Sequence, residues 1–431
     1  MSEKCQIEIQ PRESLADQPL RTVNITGLSP AQEITVRAEV QDDAGIVWMS
    51  WGVFRSDDSG SVDLSNQAPR SGTFTQADPS AILWSMRPGG DVKQSVPMFA
   101  KTTAAPLNIN VTVDSDGKTV GSANIRRRYS SQESGLIREP VDLDGVTGTL
   151  FLPEGAGPYP VVICLSGSGG GLNEPRASLL AAHGFAAFTL GYFGVGSLPK
   201  ELNEIPVEFF ERGLAWLQKH ESVDTDRIGV YGYSKGGELA LLLSSLYPRI
   251  KAVAAFSGSS YVWQGLRFGR PSSSWTRKGK ILPYIPMKLP LKTMLKLFTG
   301  RKVAFRRSYE NGLKAIDDKA PYTIQVENIN GSVFLVAGTD DQVWPSADFS
   351  DVVVERLKEH NHPHSHEYLR EEGAGHLVCM PYIPSAETCR NLIFTTSDTE
   401  LSSIAMIKAW GAMLDFFNEH LLSEKEVCNV D

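Results

Sequence analysis

The stretch Ile228-Gly-Val-Tyr-Gly-Tyr-Ser-Lys-Gly-Gly-Glu238 constrains the fold of this chain more than any other. Ile228 to Tyr231 is a short apolar run suited to a buried parallel strand. Gly232 to Gly236 then carries the spacing G-x-S-x-G, and Glu238 to Leu246 continues without a breaker as a helix. Strand, sharp turn and helix in this order make a nucleophile elbow, which holds Ser234 at the top of a sheet with its hydroxyl open to a base. Small residues flank the serine because the strained turn brings neighbouring backbone close.

At 431 residues the chain is too long for one compact core, so two domains are expected. Hydrophobic content of 41% with 21% charged residues fits a soluble globular protein. A net charge of -8 argues against a general nucleic-acid binder. The five cysteines, Cys5, Cys164, Cys379, Cys389 and Cys428, include no C-x-x-C pair, which points to reduced thiols. The N-terminus has no apolar signal core, no apolar run is long enough to span a membrane, and the C-terminus has no peroxisomal or prenylation signal. The expectation is a cytoplasmic protein with no stable membrane insertion.

From Val23 to about Arg128 the patterns are β. Ile34, Val36, Ala38 and Val40 alternate with polar residues, as do Leu107, Ile109, Val111 and Val113. Val47 to Phe54 is an aromatic-rich run, and Asp114-Ser-Asp-Gly117 supplies a hairpin turn. A β-sandwich over residues 1–134 is predicted, with the polar stretch Tyr129–Gly135 as linker. Strands then alternate with helices: strands at 148–152, 160–165, 185–190, 252–256, 333–336 and 367–369, and helices at 176–183, 207–220, 347–359 and 404–420. Together with the elbow, this predicts an α/β-hydrolase domain with a mostly parallel sheet over residues 135–431.

A serine needs a base, and this fold orders its residues serine, acid, histidine along the chain. His376, in Gly373-Ala-Gly-His-Leu377, follows a small-residue loop after a late strand, where the fold presents its base. The strand from Val333 runs into Asp340 and Asp341, either of which is placed to orient the imidazole while the other caps the next helix. Two oxyanion donors are expected: the backbone N–H of Lys235, and that of Ser168 in the loop Leu165-Ser-Gly-Ser-Gly-Gly-Gly171, with Gly169 as its substitute. That loop lacks both phosphate-binding glycine patterns, so no nucleotide cofactor is expected. His360, His362, His364 and His366 alternate, but Pro363 interrupts them and no cysteine or carboxylate pair completes a metal site; a solvated loop is expected. Residues 262–309 form a lid-like insertion whose stretch from Trp263 to Tyr309 has twelve Lys and Arg and no Asp or Glu, interleaved with apolar residues. It suits a substrate with an anionic head and an acyl tail; a solvated surface segment and a membrane-surface contact are the other readings.

These residues resemble the acyl-CoA thioesterase / bile acid-CoA:amino acid N-acyltransferase family along nearly the whole chain. The resemblance is carried by Ser168-Gly-Gly-Gly-Leu172, Arg176-Ala-Ser-Leu-Leu180, Gly184-Phe-Ala186, Leu198-Pro-Lys200 and Gly232-Tyr-Ser-Lys-Gly-Gly-Glu-Leu239. Gly338-Thr-Asp-Asp341 with Trp344, Gly375-His376 with Pro381-Tyr382, and Ala409-Trp410 with Phe416-Phe417 complete it. It implies a β-sandwich followed by an α/β-hydrolase domain, and it selects Asp341 as the acid. Its amino-acid-conjugating members use cysteine as nucleophile and its hydrolases serine, so Ser234 implies hydrolysis of an acyl-CoA substrate through Ser234, His376 and Asp341. The basic insertion departs from the family pattern. An acyltransferase, a carboxylesterase of dienelactone-hydrolase type and a non-catalytic carrier are the alternatives.

Overall fold

The computed structural model describes residues 5–89, 98–130, 137–143, 145–267, 270–299, 303–385 and 398–422. The expected domain boundary at 134/135 lies outside them, as do Cys389 and Cys428. The N-terminal region is two packed sheets. A three-stranded sheet orders Gln6–Gln10, Thr22–Thr26 and Val62–Asp63. The larger one is built around Glu33–Gln41, Val47–Arg55, Leu107–Ser115 and Lys118–Arg128. In Glu33–Gln41 burial follows the two-residue period: Ile34, Val36, Ala38 and Val40 point into a core that also takes Ile7, Ile9, Val23 and Ile25 from the small sheet. A single helical turn, Ala81–Trp84, fills the same core.

The C-terminal domain is an eight-stranded sheet: β1 (Ile137–Leu143), β2 (Val146–Leu152), β3 (Tyr159–Leu165), β4 (Ala186–Gly191), β5 (Val223–Tyr233), β6 (Ile250–Phe256), β7 (Ser332–Gly338) and β8 (His366–Glu371). Their order is β1-β2-β4-β3-β5-β6-β7-β8, antiparallel at β1/β2 and β2/β4 and parallel elsewhere. Helices cover both faces: α1 (Glu174–Ala182), α2 (Glu208–Leu217), α3 (Lys235–Leu246), α4 (Leu291–Phe298), α5 (Arg306–Lys314), α6 (Ser346–Glu359) and α7 (Thr399–Leu421). Alternation along β3 sorts the two faces. Val162 and Cys164 join α1 and α7, whereas Val161, Ile163 and Leu165 join α2, α3 and α6. Burial pushes the Cys164 thiol up to about 12, which leaves it unreactive. No disulfide joins the described cysteines Cys5, Cys164 and Cys379.

Three local readings change. Tyr129, assigned from sequence to a polar linker, is buried, and its carbonyl accepts the Ser178 hydroxyl of α1. The aromatic ring belongs to the seam between the two halves, so the polar composition of its neighbours misleads. Strand β1 escapes the periodicity reading because it is an edge strand with little burial. Within the insertion, for which no elements were assigned from sequence, the structure has short strands at Trp275–Arg277 and Lys280–Ile281, with α4 and α5; its prolines and glycines hide these short elements.

The two halves share one continuous core on the α1/α7 side. Asp17 of the N-terminal region pins it: its Oδ2 lies 2.6 Å from His183 Nε2 and accepts the Trp410 indole N–H at 3.0 Å. Asp17→Ala strands both partners and should cost about 1–3 kcal/mol of stability. The check is a lower urea midpoint, with Asp17→Asn falling between the two.

Candidate active site

The elbow sits where β5 passes into α3. Ser234 has φ 55° and ψ −124°, a conformation costly for a residue with a side chain. Packing around it holds the turn. A Cβ on Gly232 would lie 2.1 Å from the Gly236 carbonyl, and one on Gly236 would lie 2.4 Å from the Ser166 carbonyl. Both flanking glycines of the G-x-S-x-G spacing are therefore required by backbone contact. The same contact brings the loop after β3 against the first turn of α3.

Ser234 Oγ is 3.0 Å from His376 Nε2, and His376 Nδ1 is 2.7 Å from Asp341 Oδ2. All three side chains are buried. Of the two carboxylates left open by the residues, Asp341 is the one that reaches the histidine. Its remaining lone pairs take the Ser346 hydroxyl at 2.6 Å and the backbone N–H groups of Val343 and Trp344. Asp340 instead accepts the Gln342 amide at 2.6 Å. Ser257, at the end of β6, braces both loops: its hydroxyl accepts the N–H of Leu377 at 3.0 Å and its carbonyl the Trp344 indole at 2.9 Å. Arg306 of the insertion donates to the carbonyls of Thr339 and Asp341, so the insertion also holds the acid loop.

Lys235 opens α3, and the N–H of a helix's first residue has no intrahelical acceptor. Ser168 is exposed in a turn closed by the N–H of Gly170 donating to the Gly167 carbonyl at 3.1 Å. Behind that loop, the buried Arg176 donates to the Val378 carbonyl and to Asn173, and stacks 4.5 Å over the Tyr233 ring. It thereby ties α1, the elbow and the segment after His376 together. The histidine run does not gather into a site: His360 and His362 bond the carbonyls of Arg356 and Ile329. Among the described residues, the one group spaced to share an ion is the largely exposed set Glu367, Glu419 and His420.

Sequence reasoning used only the backbone of Lys235. Its side chain makes a buried pair, with Nζ 2.8 Å from Glu238 Oε2 and 2.8 Å from Ser274 Oγ. Glu238 Oε1 also accepts the Trp275 indole at 2.8 Å and the N–H of Trp263 at 3.3 Å. Burial pushes the Glu238 carboxyl up and the Lys235 ammonium down, each opposed by the other's charge. Two charges in the otherwise uncharged run Lys235–Leu246 were the visible signal. Ser257, Arg306 and Ser346 offered none, because their partners are distant in sequence or reached only through the fold.

The sheet order, the elbow and the hydrogen-bonded serine, histidine and aspartate define an α/β hydrolase. Residues 205–423 match the C-terminal family of BAAT and acyl-CoA thioester hydrolases, and residues 17–142 match the corresponding N-terminal region. The chain is 30% identical to a peroxisomal succinyl-coenzyme A thioesterase of Mus musculus over 94% of each chain. It is 30% identical to acyl-coenzyme A thioesterase 1 of Homo sapiens over 94% of each chain. It is 29% identical to the mitochondrial acyl-coenzyme A thioesterase 2 of Homo sapiens, over 94% of this chain and 82% of that one. The chain belongs to the BAAT/acyl-CoA thioester hydrolase family and is a hydrolase.

The buried pair generates a sharp expectation. Glu238→Gln leaves the Lys235 ammonium buried without its counter-charge and should cost about 3–5 kcal/mol in urea unfolding, whereas the double change to Met and Leu should cost less.

Proposed function

We propose that the chain is a serine acyl-CoA thioesterase. The observation that carries this reading is the 3.0 Å contact between Ser234 Oγ and His376 Nε2 in a chain of this family. His376 Nε2 takes the Ser234 proton as Oγ attacks the thioester carbonyl carbon. Asp341 holds the Nδ1–H tautomer and stabilises the imidazolium. The N–H groups of Lys235 and Ser168 receive the oxyanion of the tetrahedral intermediate. On collapse the C–S bond breaks, the CoA sulfur leaves with the proton from His376, and the acyl group stays on Ser234. Water, deprotonated by the same imidazole, then attacks the ester, releasing the free acid and restoring the serine. The acyl-CoA substrate is suggested by the thioesterases to which the chain is similar. Serine rather than cysteine at position 234 supports water as acceptor, because an oxygen ester is resolved readily by an activated water.

The test is a panel of acyl-CoAs of different lengths, with release of CoA and of free acid both followed. Ser234→Ala should lower kcat by roughly four orders of magnitude or more. Activity surviving in that variant refutes the mechanism, and conjugates outweighing free acid when amines are added refute the hydrolase reading. Asp341→Asn should lower kcat by about 10³–10⁴-fold through the wrong histidine tautomer, while Asp340→Asn stays near wild type.

A further inference from the structure

The insertion between β6 and β7 carries an apolar face that no other described part of the chain covers. Leu291 of α4 is 70% exposed, Leu295 57% and Met294 38%, and Leu289 just before the helix is 38% exposed. At 3.6 residues per turn, positions 291, 294 and 295 share one side of the helix. Thr293, on the opposite side, is buried against the protein. In α3, by contrast, Leu239 to Leu243 are all buried. Lys292 and Lys296 lie together along one edge of the exposed face. The ion pairs of the insertion among the described residues use Arg267 with Glu201, and Arg306 with Glu310 and Asp348. Lys288, Lys292 and Lys296 make none there. These lysines sit in a stretch of twelve basic and no acidic residues, in a chain of net charge -8.

We propose that α4 docks the enzyme on an anionic lipid surface. Leu289, Leu291, Met294 and Leu295 enter the boundary between acyl chains and headgroups, and Lys292 and Lys296 lie among the phosphates. An apolar stripe edged by lysines is the pattern of a helix that lies in a membrane interface. The one-sided charge fits the negative surface potential of such a bilayer, to which each nearby Lys or Arg adds attraction. A protein partner fits less well. Two turns of helix offer few side chains, whereas a stable protein interface buries about 800 Å² per partner. A bilayer needs only the protruding side chains and responds to the charge of the whole insertion. The helix neither spans nor anchors permanently; among the described residues no helix is long and apolar enough to cross a membrane. This inference does not depend on the substrate assigned above.

The experiment is sedimentation of the full chain with vesicles of phosphatidylcholine alone or mixed with phosphatidylglycerol, at about 0.1 M and about 0.5 M salt. The wild type should pellet with the anionic vesicles at low salt and be released at high salt. Leu291→Asp with Leu295→Asp should weaken partition at least about tenfold, since each buried methylene counts. Lys292→Glu with Lys296→Glu should abolish the preference for anionic lipid. Both double variants should keep the wild-type melting curve and its turnover of a short, soluble thioester. Equal pelleting of wild type and the Asp variant overturns the proposal. So does failure of the wild type to bind anionic vesicles, or light scattering showing that the same substitutions instead dissociate a dimer.

Discussion

Everything at the site hangs on one buried contact, the hydrogen bond from His376 to Asp341. Neither partner reaches it alone. Asp341 stands in the loop three residues beyond β7, a strand whose every residue is buried, and three further donors fix its carboxylate: the Ser346 hydroxyl and the N–H groups of Val343 and Trp344. His376 is fixed by the chain on its other side, where Leu377 donates to Ser257. With the imidazole clamped in this way, its second nitrogen points at Ser234, and the strained backbone of the elbow sets where the serine stands.

The elbow is supported from below by charge as well as by packing. A lysine and a glutamate inside a helix that touches the sheet are an expensive choice, since apolar residues of similar size often serve stability as well or better. Here the pair does something apolar residues do not. Through Trp263, Ser274 and Trp275 it joins the first turn of α3 to the insertion, and through Arg306 the insertion joins the acid loop. Nucleophile, insertion and acid are thus one hydrogen-bonded unit.

How much of this was legible in the sequence follows from where each signal lives. The strand, elbow and helix around Ser234 were readable because they are local: glycine spacing, apolar run and helix lie within one short stretch. His376 was readable from its small-residue loop. Residue pattern alone did not separate Asp340 from Asp341, which only the family resemblance chose, because one residue of register along the chain after β7 decides which carboxylate faces inward, and that register is set by Ser346, Val343 and Trp344. Tyr129 was misread because burial depends on the partner α1, not on its polar neighbours. Glu238 was in plain view as a charge in an apolar helix, yet its partners Trp263 and Trp275 come from the insertion, whose short strands and prolines carry no clear period. The long sandwich strands Glu33–Gln41 and Leu107–Ser115 were legible for the opposite reason: one face of each is wet, and alternation records that directly.

The placement of Asp17 has a consequence for how the two halves can be separated. Its carboxylate meets His183, which follows the helix after the Ser168 loop, and Trp410, in the last helix. Around that point Leu180, Phe185 and Phe416 belong to the same core as Ile9 and Val36 of the sandwich. The boundary that looks like a linker in sequence is therefore not a boundary in energy. A catalytic domain excised at residue 135 would expose a greasy flank and leave an indole and an imidazole without their acceptor. Modular in its sequence pattern, the enzyme is monolithic in its interior, and the sandwich is better regarded as the missing wall of the hydrolase than as a passenger.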